Sequence, residues 1–150
     1  MEQYTKQMLL FKDILGKKVE IDFNGYDITT DTGILFLREV EDKTHIIAHI
    51  SDVIRDNRHP GYVEHNIYNI LKQRVFQIAL GYEDCNDCDD LRDDPVMKIS
   101  CDKLPYSDSA LASQPTMSRF ENTPSRTDLY RIGLTLLMRL SIHIKSLRKG

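Results

Sequence analysis

Between Val63 and Gly81 the apolar residues Val63, Ile67, Ile70, Leu71, Val75, Ile78 and Ala79 recur at spacings of three and four. That period traces one face of an α-helix over about five turns, and it is the longest such run in the chain. A helix with one apolar face is stable in water only when that face packs against other elements, so the pattern predicts a helical domain built around this segment. Gly81 closes it, because glycine accepts the left-handed backbone with which helices commonly end.

Shorter signals flank this helix. Val19, Ile21 and Phe23 alternate with Glu20 and Asp22, the period of a half-buried strand, and Asn24-Gly25 marks a turn. In Thr29-Thr30-Asp31 a hydroxyl or carboxylate can cap the free amides of a helix that presents Ile34, Leu37 and Val40 on one face. A second helix carries Ile46, Ile47, Ile50 and Ile54 and stops before Asn57–Gly61, where Pro60-Gly61 interrupts backbone bonding. Asp94-Pro95 reads as a helix start with proline at the first helical position, opening a short helix through Met97 and Ile99. The turn-rich stretch Cys101–Ala112 is expected to be an exposed loop. Ser113-Gln114-Pro115-Thr116 opens another short helix, and Ser125-Arg126-Thr127-Asp128 has the form of a capping box before a last helix bearing Leu129, Ile132, Leu136 and Leu137. The fold class is therefore mainly α, a helical domain with a short β element near the amino terminus.

With 150 residues, 41% hydrophobic and 29% charged, the chain can bury a core, and disorder or low complexity is excluded. No apolar stretch approaches the length of a secretory core or a membrane span, so the chain reads as soluble and cytoplasmic with no membrane partner. Three cysteines, an odd count without an export signal, argue against a disulfide framework. The net charge of −3 is uneven. Residues 119–150 hold seven bases against two acids, +5, leaving −8 for residues 1–118. The basic end could contact DNA phosphates, or could be a solvated helix end with cations near its negative dipole terminus.

Motifs that carry chemistry are weak. Cys85 and Cys88 form CxxC, and Cys101 could add a third thiolate to a zinc site, but a second pair is lacking. Seven acids in Glu83–Asp94 raise the thiol pKa values rather than favour thiolates, so unliganded cysteines are the expectation. Adjacent aspartates in that run fit a solvated face better than a metal cluster, whose carboxylates come from separate elements. His45 and His49 share a helix face without the glutamate of a metalloprotease motif. Neither a glycine-rich phosphate loop nor a GxSxG elbow occurs.

Three blocks, TTDTGILFLRE at Thr29–Glu39, LKQRVFQIALGYEDCNDCDDLRDDP at Leu71–Pro95 and ASQPTMSRFEN at Ala112–Asn122, follow one another across about two thirds of the chain. In order and spacing they resemble the amino-terminal region of bacterial insertion-sequence transposases of the DDE type, DDE-domain group 1. The resemblance implies a family whose RNase-H-like domain binds Mg²⁺ or Mn²⁺ through carboxylates and drives DNA strand cleavage and transfer. In that family the first catalytic aspartate lies on a strand after the SRFEN block and its following helix, in a run like IVLDxD. No such run is present here. The resemblance therefore implies no catalytic residue, no metal ligand and no cofactor in this chain, which is expected to be inactive alone.

The family-like sequence runs to Leu137, and MRLSIHIKSLRKG departs from it. Read in the neighbouring frame, permitted codons for Leu140–Gly150 encode FIDSYKKPPKG, a family-like helix end and loop. The expected organisation is residues 1–137 as the amino-terminal helical region and residues 138–150 as an out-of-frame tail left by a one-base deletion. Arg139, Lys145, Arg148 and Lys149 then lie outside the family-like part, and Arg119, Arg126 and Arg131 against Glu121 and Asp128 leave +1. Such a region is expected to bind transposon-end DNA and to support a catalytic domain, with possible self-association. The residues expected at phosphates are Arg119 and Arg126 beside a helix start, and Lys72 and Arg74 on the polar side of the central helix. Each has an alternative as a surface ion-pair partner. The alternative from another class is a non-catalytic interaction or dimerisation module, or a decaying reading frame without function.

Overall fold

The computed structural model describes residues 9–22 and 29–147. Two antiparallel strands, β1 (Leu9–Ile14) and β2 (Lys17–Ile21), precede seven helices: α1 (Ile34–Thr44), α2 (Ile46–Ser51), α3 (Ile67–Ala79), α4 (Asp87–Leu91), α5 (Pro95–Ser100), α6 (Gln114–Asn122) and α7 (Arg126–Leu147). The fold is mainly α with a short β element, as the periodicity predicts. No described helix is long and apolar enough to cross a membrane.

The hairpin turns through Leu15 and Gly16, both with positive φ, which gives the turn the hand that matches strand twist. Val19 pairs with Phe11 and is buried on the core face, while Glu20 faces out. The alternation predicted from Val19 is thus present as far as Ile21; Phe23 and the Asn24-Gly25 turn lie outside the described residues.

Helix α3 sits at the centre and packs against α1, α2, α5 and α6. It starts at Asn66, whose side chain accepts from the Asn69 amide at 2.8 Å, and it ends where Gly81 takes φ 94° and the Tyr82 amide reaches back to the Gln77 carbonyl at 2.9 Å. The Asp94 carboxylate accepts from the Met97 amide at 2.8 Å above Pro95, so that helix start is as predicted. Ser125 and Asp128 form the reciprocal box, with the Ser125 amide donating to Asp128 at 2.9 Å and the Asp128 amide donating to Ser125 Oγ at 3.2 Å. The main core joins Ile14, Val19, Ile34, Leu35, Ile47, Phe76, Val96, Met97 and Leu111.

Three expectations are corrected. Neither hydroxyl nor carboxylate of Thr29-Thr30-Asp31 caps α1; the Ile34 amide bonds to the Asp31 carbonyl instead, and Asp31 Oδ2 accepts from the Tyr82 hydroxyl at 2.9 Å. Cys101–Ala112 is not an exposed loop throughout: Cys101, Leu111 and Ala112 are buried, and Lys98 Nζ draws the loop in by donating to the Pro105 and Asp108 carbonyls at 2.8 and 2.7 Å.

The third correction concerns which faces turn inward. Helix α1 buries Ile34, Leu35, Arg38 and Glu41, leaving Leu37 and Val40 exposed; α3 buries Ile70, Lys72, Gln73, Arg74, Phe76 and Gln77, leaving Val75 and Ile78 exposed. Long polar side chains bury their alkyl stems at such positions and satisfy their heads with distant partners. Gln73 makes a two-bond clasp with the Ala112 backbone, donating at 2.9 Å and accepting at 2.8 Å. Glu41 accepts from the Ile47 and Ala48 amides at 2.8 and 2.9 Å, placing a carboxylate at the start of α2, where the helix dipole favours it.

Candidate nucleic-acid interface

Helix α6 is held by Met117, fully buried against Ile70, Cys88 and Ala112. Two residues on, about 200° around the helix, Arg119 points away from that contact and is exposed. It borders a cavity of about 520 Å³ whose other wall runs from the end of α2 through the single 3-10 turn at Pro60–Tyr62 to the start of α3. Arg55, Arg58, Tyr62 and His65 line that wall, and Thr116, Phe120 and Asn122 accompany Arg119 on the α6 side.

The cations differ in how free they are. Arg58 closes on its neighbour: Nε and Nη2 donate to the two Asp56 oxygens at 2.8 and 2.7 Å. That contact holds the Asp56 carboxyl below its usual range and the Arg58 guanidinium above its own. Arg119 and Arg55 form no ion pair with a described residue; the charge of Arg55 reaches Asp128 at the start of α7, whose carboxyl is held low mainly by its bonds to Ser125. Burial pushes the His65 imidazole below its ordinary value, with Lys103, Arg92 and Arg58 adding to the effect and Glu64 opposing it. His65 is therefore neutral at pH 7. The cavity lining carries Arg55, Arg58 and Arg119 against Asp56 and Glu64, so it is basic by one charge.

Of the four cations expected at phosphates, Arg119 borders the cavity. Arg126 is exposed at the first position of α7, does not line the cavity and has no described ion-pair partner. Lys72 and Arg74 are not on a solvent-facing polar side, and that expectation is corrected. Lys72, 1% exposed, donates to Asp102 between the rings of Tyr68 and Phe76. Arg74 pairs with Glu121 and donates to the Tyr82 and Glu83 carbonyls at 3.2 and 2.7 Å. Both serve to tie α3 to its neighbours.

Arg55, Arg58 and Tyr62 were not among the residues expected from sequence. Their signal is the segment RDNRHPGY at Arg55–Tyr62, where two arginines and an aromatic residue alternate with turn-forming residues, but nothing local says that it folds back over α6.

The cysteines are free. Burial, then Glu121, pushes the Cys85 thiol up to about 11, and burial pushes Cys101 up to about 11, so both carry their proton at neutral pH. Cys85 Sγ donates to Glu121 at 3.1 Å. No described group of three His, Cys, Asp or Glu side chains can hold a metal ion. Acids of the 83–94 run serve structure: Asp89 ties α4 to the start of α6 by accepting from the Gln114 amide at 2.9 Å, and Asp84 accepts locally from the Asn86 amide at 2.9 Å.

Among known proteins, the model of the family described as transposase DDE domain group 1 matches residues 11–147. No curated protein and no solved structure matches the chain.

Proposed function

The chain belongs to the transposase DDE domain group 1 family, and from that premise we propose that its helical region holds the phosphate backbone of transposon-end DNA along the cavity edge. Family members carry out DNA transposition and generally use divalent metal ions; the described residues offer no set fitted to such an ion, so no chemical step is assigned to them. The reading is of a DNA-positioning and supporting region acting in the cytoplasm, without catalytic residues of its own.

The observation that carries it is the pair of exposed arginines, Arg119 and Arg55, bordering one concavity without described ion-pair partners, in a chain whose net charge is −3. Phosphate contact by such side chains releases counterions and supplies affinity that falls steeply with salt. Arg58 contributes less because Asp56 already holds it, and Arg126 extends the basic edge at the start of α7. Lys72 and Arg74 could reach phosphate only after the Asp102 and Glu121 pairs open.

Fluorescence anisotropy against the element's terminal inverted repeats tests this. Arg119→Ala and Arg55→Ala are each expected to weaken binding across a salt series and to lower the slope of log K against log salt by about 1. Salt-insensitive binding, or affinity unchanged from the parent chain in both variants, would refute the assignment. The match runs through residue 147 and α7 is continuous across Leu137. The DNA sequence downstream of the codon for Gly150 tests the proposal of a frame change there.

A further inference from the structure

Helix α7 carries two different faces. Asp128, Arg131, Ile132, Thr135 and Arg139 are its least exposed positions and mark the side that packs on α2. On the opposite side Tyr130, Gly133, Leu137, Leu140 and Ile144 recur at three, four, three and four residues, and all are exposed. That is the spacing with which side chains of one helix enter the holes of another in a coiled coil. The flanking positions Leu134, Leu136 and Ser141 are uncharged, while Arg131, Arg139 and Lys145 stand away from the seam.

We propose that two copies of this chain associate through this seam with their α7 helices antiparallel. Antiparallel register sets Leu137 against Leu140 of the other copy and the bare Gly133 against Ile144, small against large. Among the described residues the one charge in line with the seam is Arg126, a heptad before Gly133. Parallel packing would set two such arginines side by side, whereas the antiparallel register carries Arg126 past the end of the opposite α7. The seam and its apolar flanks expose enough surface for two copies to bury about 1,100 Å², near the lower bound for a specific interface. The resulting dimer is weak and concentration-dependent. This surface is distinct from the cavity at Arg119, and the inference does not depend on DNA binding.

Sedimentation velocity of the full chain over about 5–100 µM is the test. The expected result is a monomer–dimer equilibrium. Leu137→Glu is expected to weaken it at least 10-fold while leaving the circular dichroism spectrum unchanged, since Leu137 is exposed in the monomer. Leu137→Cys mixed with Leu140→Cys should cross-link between the two variants faster than within either. A wild-type monomer throughout the range, a dimer indifferent to Leu137→Glu, or faster cross-linking of Leu137→Cys to itself would each overturn the proposal.

Discussion

Asp102 joins three elements that are far apart in sequence, and neutralising it is expected to be among the most damaging single changes in this chain. It sits just past the end of α5 with φ 59°, where the Lys103 amide closes the helix on the Lys98 carbonyl at 2.8 Å. From there Oδ1 accepts from Arg38 Nε of α1 at 2.8 Å and Oδ2 accepts from Lys72 Nζ of α3. The two cations are 2% and 1% exposed. In Asp102→Asn the left-handed backbone stays acceptable and the shape is kept, but the negative charge is gone. Arg38 keeps the Lys12 and Asp13 carbonyls, at 2.7 and 3.4 Å; Lys72 loses its described hydrogen-bond acceptor and retains only two aromatic faces. Removing one partner of a buried ion pair typically costs about 3–5 kcal/mol. Asp102 is itself 43% exposed, so water reaches the site and the expected loss is reduced to about 2–4 kcal/mol. For a chain of this size that lowers Tm by about 5–12 °C. Urea unfolding followed by circular dichroism measures it as a lower midpoint at unchanged slope. Lys72→Met, which leaves Asp102 with Arg38, should cost less than about 1.5 kcal/mol. The double variant should be more stable than Asp102→Asn alone, because the uncompensated ammonium has been removed. A variant Asp102→Asn within about 0.5 kcal/mol of the parent, or strict additivity of the two changes, would refute the reasoning.

Two further outcomes follow from buried charge. Glu41→Ala leaves the Ile47 and Ala48 amides without their acceptor and should lower stability by about 2–3 kcal/mol in the same urea assay, with Glu41→Gln losing less because it keeps one acceptor oxygen; equal losses would show that the charge alone carries the contribution. Stability should also fall in two stages on acidification. His65 has a depressed pKa in the fold, so the stability tied to its neutral form is present above the unfolded value of about 6.5 and is lost as pH falls through it. Burial tends to raise the Asp102 carboxyl, but Lys72 and Arg38 outweigh it and hold the group low, so its stabilisation is present above about 3.9 and is lost below. His65→Gln should remove the first stage only, and Asp102→Asn should flatten the second; a single transition unaffected by either change would contradict these assignments.

The site was legible in part. Arg119 reads from sequence as a cation beside a helix start, but it lies in the last turn of α6, where the buried Met117 turns it toward the cavity. The cavity itself was not legible, since Arg55, Arg58 and Tyr62 arrive from a segment whose local pattern shows only turns. Lys72 and Arg74 read as solvent-facing because charge usually is, and the acids that draw them inward lie 30 and 47 residues away.

The sequence by itself determined where several helices begin or end. Asp94-Pro95 and Ser125 with Asp128 act on amides within a few residues, and Gly81 needs only its own backbone freedom; the Asn66 cap, which starts α3 at Ile67 rather than Val63, is not among the expectations from sequence. The sequence also determined the family and the mainly helical class. Tertiary structure alone decided which side of each helix faces in. On α1 and α3 the inward side holds Arg38, Glu41, Lys72, Gln73 and Arg74, while Leu37, Val40, Val75 and Ile78 stay at the surface. Periodicity registers apolarity along one helix, whereas burial of a charge depends on a counter-charge or carbonyl that only the folded chain brings within reach.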